Sequence, residues 1–203
     1  PGPRFIYVLD NYAPNPSATP GVSVVPGASD AEGAWTASGL GVLSADVHWI
    51  HLSVMNGNLA AAIKRHVLDI GVDQAGGTSY AAVISDIVCG SAAIITLGGA
   101  PGHHFLFPFM IPSGSTIGVR IQGSNATAGT VRVGLKVRGR PDMPWLHMAG
   151  QYAETIGVSG SSGTAFTPGN NADGTWTSLG TTTRECWWWQ LAYQINSAII
   201  TGE

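Results

Sequence analysis

The strongest constraint on this chain is a strict alternation of apolar and other residues. Ile117, Val119 and Ile121 alternate with Gly118, Arg120 and Gln122, and Val131, Val133, Leu135 and Val137 alternate with Arg132, Gly134, Lys136 and Arg138. A period of two places each set on one face of an extended strand, so the aliphatic set points into a core and the cations point out. Apolar runs at 47–54, 66–72, 80–88 and 105–111 read as further strands, the last bent by Pro108. Turn residues separate them at roughly ten-residue spacing, the signature of an antiparallel β-sandwich or jelly roll. The Gly-Ser-Asn-Ala-Thr-Ala-Gly segment at 123–129 predicts a hairpin joining the strand at 117–122 to the one at 130–140. Residues 59–66 hold good helix formers but run straight into β-branched residues, and propensity leaves a single helical turn and an irregular strand equally open.

A second constraint is a repeat that starts and stops. PGASDAEGAWTASG at 26–39 matches PGNNADGTWTSLG at 168–180, and VHWIHLSV at 47–54 matches CWWWQLAY at 186–193, which aligns Trp49 with Trp188 and Leu52 with Leu191. Upstream, Gly21-Val22-Ser23 matches Gly157-Val158-Ser159. The repeat unit is about 140 residues, the size of a domain rather than of a solenoid turn. The expected organisation is an all-β chain with an arm at 1–20, a complete sandwich at 21–140, a proline-containing linker at 141–150 and the opening part of a second, similar sandwich at 151–203. Such an opening cannot cover its own apolar side. Trp187, Trp189, Leu191 and Tyr193 would face water at a cost of several kcal/mol at about 25 cal/mol per Å². Cover is therefore expected from further chain, from a neighbouring subunit or from the first sandwich.

Composition narrows the function. Only 10% of the residues are charged and the net charge is −3, which argues against a nucleic-acid-tracking surface. No apolar run approaches the ~20 residues of a spanning helix, so membrane insertion is not expected. The 2 cysteines, Cys89 and Cys186, fall at non-equivalent places in the repeat and imply no disulfide framework. Sparse charge with 7 tryptophans fits a subunit that buries surface against neighbours, because interface cores are poor in charge and rich in aromatic rings.

The elements at 66–77, HVLDIGVDQAGG, and at 107–124, FPFMIPSGSTIGVRIQGS, resemble those of a group of β-rich virion proteins of tailed bacteriophages. The first keeps Leu68-Asp69-Ile70-Gly71-Val72 with Ala75-Gly76; the second keeps Phe107-Pro108, Ile111-Pro112, Gly114-Ser115, Ile117, Arg120 and Gln122. Ser113 and Thr116 depart from it, standing where Ala and Arg are usual. The resemblance spans 45–138 and implies a structural part of a phage particle, such as a tail, baseplate, fibre or head-decorating component. It implies no catalytic residue and no cofactor. The corresponding location is the virion, assembled in the host cytoplasm, with other virion subunits or further copies of the chain as partners.

Alternation sets Arg120 beside Arg132, Lys136 and Arg138 as an outward basic stripe, which is either a solvated strand face or a contact for an acidic neighbour. With Ile50, Leu52 and Val54 facing the core, Trp49 lies on the other face, and Trp188 repeats that placement. An indole on a nominally wet face, present in both units, calls for a cover: the N-terminal arm, Trp145, another subunit or a stacked host-surface sugar. His48 and His51 fall on opposite faces of a strand, as do His103 and His104, and no Cys or carboxylate stands at ligand spacing beside them, so no metal is expected. Asp46 and Asp69, near strand starts, read as backbone caps. No nucleophile elbow, metalloprotease motif or phosphate-binding loop occurs. The chain is thus expected to be a non-enzymatic assembly protein, with a glycan-recognising lectin-like module as the alternative.

Overall fold

In the computed structural model, the described residues are 7–10, 21–56, 64–91, 103–124, 131–139, 152–160, 162–167, 172–186 and 188–191. Their strands are β1 (Tyr7–Asp10), β2 (Val22–Val24), β3 (Thr36–Ala37), β4 (Trp49–Asn56), β5 (Lys64–Asp73), β6 (Ala81–Ser91), β7 (His103–Phe107), β8 (Thr116–Gly123), β9 (Val131–Gly139), β10 (Val158–Ser159) and β11 (Ser162–Gly163), and they include no helix.

The alternation builds two layers. One sheet runs β1-β9-β4-β7, with β2 also on β9, and the other runs β3-β8-β5-β6. All of these pairs are antiparallel. Setting β1 aside, the strand orders 2-9-4-7 and 3-8-5-6 are those of a jelly roll, in which most connections cross from one sheet to the other. Ile50, Leu52, Val133, Leu135 and Val137 of the first layer and Leu68, Ile70, Ile117, Val119 and Ile121 of the second are buried and share one core. The strands expected at 66–72, 80–88 and 105–111 correspond to β5, β6 and β7, and Ile111 continues past β7 as a bridge to Val47.

One expectation is corrected. β8 and β9 are not hairpin partners: β8 pairs with β3 and β5, whereas β9 pairs with β1, β2 and β4. A Gly-rich turn signal marks where a strand ends, not which sheet the next strand joins, and among the described residues the only in-sheet hairpin of the sandwich is β5–β6. The ambiguous residues 59–63 lie outside the described residues, whereas Lys64–Asp73 is strand.

The two motif elements meet at one end of the sandwich as structural turns. Asp73 accepts hydrogen bonds from the backbone N–H of Ala75 (2.9 Å) and Ser79 (2.8 Å), closing the β5–β6 loop, and the Thr116 hydroxyl donates to the Gly77 carbonyl at 2.6 Å. Gly76, at φ +76°, lies so close to the Gly114 carbonyl that a Cβ would come within 2.8 Å of it. Asp46 caps the same end by accepting from Ser113 N–H at 2.8 Å.

Beyond residue 151, the strands are the two-residue β10 and β11, paired with each other, and the other described residues run irregularly. This segment lies on the sandwich. Ala153 packs against the core, the Thr155 hydroxyl donates to the Ser85 carbonyl, and Glu154 accepts from Thr183 N–H at 2.9 Å. Arg184 sits 4.2 Å over the Tyr152 ring. Trp189 and Leu191, expected to need cover, are 64% and 75% exposed. Trp145, Trp187 and Tyr193 lie outside the described residues.

Candidate functional site

Two faces of the sandwich hold the residues singled out by sequence, and they differ in chemistry. The outer face of the β1-β9-β4-β7 sheet follows from parity. Trp49, His51 and Ser53 alternate with buried Ile50, Leu52 and Val54, and Arg132, Lys136 and Arg138 alternate with buried Val133, Leu135 and Val137. Ladder register then sets Trp49 directly opposite Arg138, and His51 opposite Lys136. Trp188 arrives from the C-terminal segment and meets Trp49 edge-on, ring centroids 6.5 Å apart at 85°. The cover foreseen for Trp49 is therefore partly the chain's own second tryptophan, itself still 47% exposed.

On the same face β7 brings His104 beside His51, ring centroids 5.7 Å apart, and His104 Nδ1 shares a 2.9 Å hydrogen bond with the Ser53 hydroxyl. Burial, then the positive charges of His104, Lys136 and Arg138, hold the His51 imidazole below its ordinary range. Sequence reasoning separated these histidines because their juxtaposition depends on the β4–β7 register. Among the described residues no three His, Cys, Asp or Glu side chains gather as a metal site.

The outer face of the β3-β8-β5-β6 sheet corrects the reading of Arg120. Arg120 is not part of a stripe with Arg132, Lys136 and Arg138, because β8 and β9 belong to different layers. It stands opposite Asp69 in the β5–β8 ladder and donates from Nε to Asp69 Oδ2 at 2.8 Å, while its Nη2 donates to Glu32 Oε1 at 2.6 Å. Its guanidinium also lies 4.5 Å over the Trp35 ring. Trp35 in turn tilts against Tyr80, centroids 5.8 Å apart.

Both rings occupy a trough that only glycine permits. Gly71 and Gly118 are cross-strand partners, and a Cβ at the first would come within 2.6 Å of the Trp35 ring, at the second within 2.7 Å of the Tyr80 ring. Trp176, the repeat's counterpart of Trp35, has no such seat and is 100% exposed.

Asp69 does more than cap. It is buried, and its Oδ1 accepts from the backbone N–H of Asp86 at 2.8 Å. Ser85 and Asp86 bulge out of β6, where the register jumps between Leu68 and Ile70, and Asp86 takes φ +58°. Burial, then the charges of Asp69 and Glu32, push the Asp86 carboxyl above its ordinary range, against an opposing pull from Arg120. The depression lined by Glu32, Asp69, Asp86, Arg120 and Gln122 has no interior room for a water-sized molecule. Its lining is chiefly charged and polar, with Val67 and Ile121 completing it.

No family model matches the chain, and no curated protein matches it. Among solved structures, a chain from the structure of the Gx strain of infectious bursal disease virus is similar at 15% identity and a TM-score of 0.32. The match covers 69% of this chain and 33% of that one, so this chain spans about a third of its length. A likeness of that order bears on neither family nor function.

Proposed function

We propose that this chain is a non-enzymatic structural subunit of a phage particle, a tail, baseplate, fibre or head-decoration component. It works by holding neighbouring subunits, further copies of itself among them, in the assembled virion. The observation that carries this reading is the apolar surface of the C-terminal segment. Phe166, Trp176, Leu179, Trp188, Trp189 and Leu191 are all at least 42% exposed within a stretch of 26 residues, 166 to 191. Exposed tryptophan and leucine at this density mark contact surfaces, since solvated proteins keep large apolar patches small. The turn-building roles of the two phage-like motif elements agree with it: Asp73, Gly76, Gly114 and Thr116 shape loops.

Sedimentation velocity over a wide concentration range tests the reading. Self-association that weakens on Trp188→Ala and Trp189→Ala supports it. A monomer at every concentration, with no binding to other virion proteins, removes it. One observation favours a second reading, recognition of host-surface glycan: Arg138 stands across the ladder from half-buried Trp49, supplying the polar neighbour that a sugar-stacking ring needs. Micromolar binding on a glycan array without self-association would select that alternative.

A further inference from the structure

The two broad faces of the sandwich carry opposite charge. On the outer face of the β1-β9-β4-β7 sheet stand Arg132, Lys136 and Arg138 with His51 and His104, and in the β1–β9 ladder Asp10 is the register partner of Lys136. The outer face of the β3-β8-β5-β6 sheet is the reverse. Asp69, Asp86 and Glu32 surround Arg120, exposed Asp30 stands two residues before Glu32 beside Gly160 of the segment that crosses this side at Ser85, and Arg65 of β5 is the other cation on this side among the described residues. The Glu32 side chain is 48% exposed even while paired. Burial first, and the neighbouring charges of each face second, hold the His51 imidazole below and the Asp86 carboxyl above their ordinary ranges.

From this polarity, and resting on the assembly reading above, we infer that copies of the chain associate head to tail, the cationic outer face of the β1-β9-β4-β7 sheet of one copy docking on the acidic outer face of the β3-β8-β5-β6 sheet of the next. The occupant is a second copy because each face supplies the complement of the other, whereas like faces meeting about a twofold axis would repel. Juxtaposed like charges are costly and complementary patches set register. The contact is heterologous, so it propagates: it closes into a ring if the rotation between copies allows, and otherwise runs on as a filament. Trp49 and Trp188 lie on the docking side beside Arg138 and add an aromatic anchor to a charged surround.

The test uses two variants of the full chain. Arg132→Glu with Arg138→Glu spoils the cationic face, with Arg138→Glu alone as the milder substitute if the pair does not fold. Glu32→Gln with Asp86→Asn neutralises the acidic face while keeping the Arg120–Asp69 pair, and Asn tolerates the left-handed backbone at position 86. Circular dichroism melts verify folding, and sedimentation velocity at low salt and at about 1 M salt, where screening is nearly complete, reads association. The inference expects wild type to form species larger than dimers at low salt and to dissociate at high salt. Each variant alone should self-associate on the order of tenfold more weakly or less, and an equal mixture should give 1:1 heterodimers and nothing larger, since only one good face remains on each partner. Salt-insensitive association that survives in both variants would overturn the head-to-tail inference and leave the assembly reading standing. A monomeric wild type under all conditions would overturn both.

Discussion

Replacing Arg120 by alanine discriminates sharply between the partly buried ion pair found for this side chain on the outer face of its sheet and the solvated basic stripe suggested by alternation. Arg120 is 22% exposed and its partner Asp69 is 7% exposed, so the substitution leaves a nearly buried carboxylate with the Asp86 N–H as its remaining hydrogen-bond donor. Breaking a buried pair from one side costs about 3–5 kcal/mol, dominated by the stranded charge. The stacked contact with Trp35 adds about 0.5–1 kcal/mol. The bond to half-exposed Glu32 adds little, in the range of about 0–1 kcal/mol for surface pairs. At about 2–4 °C per kcal/mol for a chain of this size, the total of about 3.5–7 kcal/mol should lower melting by roughly 7–28 °C. Differential scanning calorimetry measures it. The companion is Asp69→Asn, which keeps the acceptor for Asp86 N–H and removes the charge. Arg120→Ala with Asp69→Asn should recover part of the loss, with a coupling of about 1–3 kcal/mol in the double-mutant cycle. A loss within about 0.5 kcal/mol, the ordinary size for a surface change, or strictly additive effects, would refute the buried-pair reasoning.

Three further outcomes are expected. Gly118→Ala, whose new methyl meets the Tyr80 ring, should destabilise by about 1–3 kcal/mol in urea titration through overpacking. Trp35→Ala should cost about 2–3 kcal/mol, below the value for a core tryptophan because it is only half-buried, whereas Trp176→Ala should leave folding within about 0.5 kcal/mol; equal effects at the two repeat positions would show that Trp176 is also seated. Asp86→Asn should raise the melting temperature at neutral pH. With its carboxyl held above the usual range, the native state binds that proton more tightly than the unfolded chain, so ionised Asp86 costs stability above its folded-state value. The gain should therefore shrink as pH falls towards about 4, the ordinary carboxylate range, and a gain that persists unchanged in acid would contradict that origin.

Much of the fold was legible because a period of two is a local property. Val131, Val133, Leu135 and Val137 had to share a face whatever they paired with, and the same holds for Ile117, Val119 and Ile121. Partner choice was not legible. Whether Arg120 met Arg138 or Asp69 depended on which sheet each strand joined, and that follows from the whole jelly-roll order rather than from the loop between β8 and β9. The His51–His104 contact was hidden for the same reason. Asp86 gave no local sign of a bulge, since Ser85-Asp86 reads as ordinary strand and only the pairing of Leu68 and Ile70 with Ile87 and Ile84 exposes the extra residues. Trp35 was the missed opportunity: its recurrence as Trp176 was visible, but the seat it needs, Gly71 with Gly118, is assembled from residues 47 positions apart.

The position of β9 bears on how the chain matures as it is made. β1, β2 and β4 all hydrogen-bond to β9, yet β9 leaves the ribosome after every one of them. Until residue 139 has emerged, that layer consists of β4 and β7 alone, with β1 and β2 waiting on an unmade neighbour. Cotranslational folding must therefore begin in the β3-β8-β5-β6 layer, whose last member is complete at Gly123, and the other layer closes in one late step across its whole width.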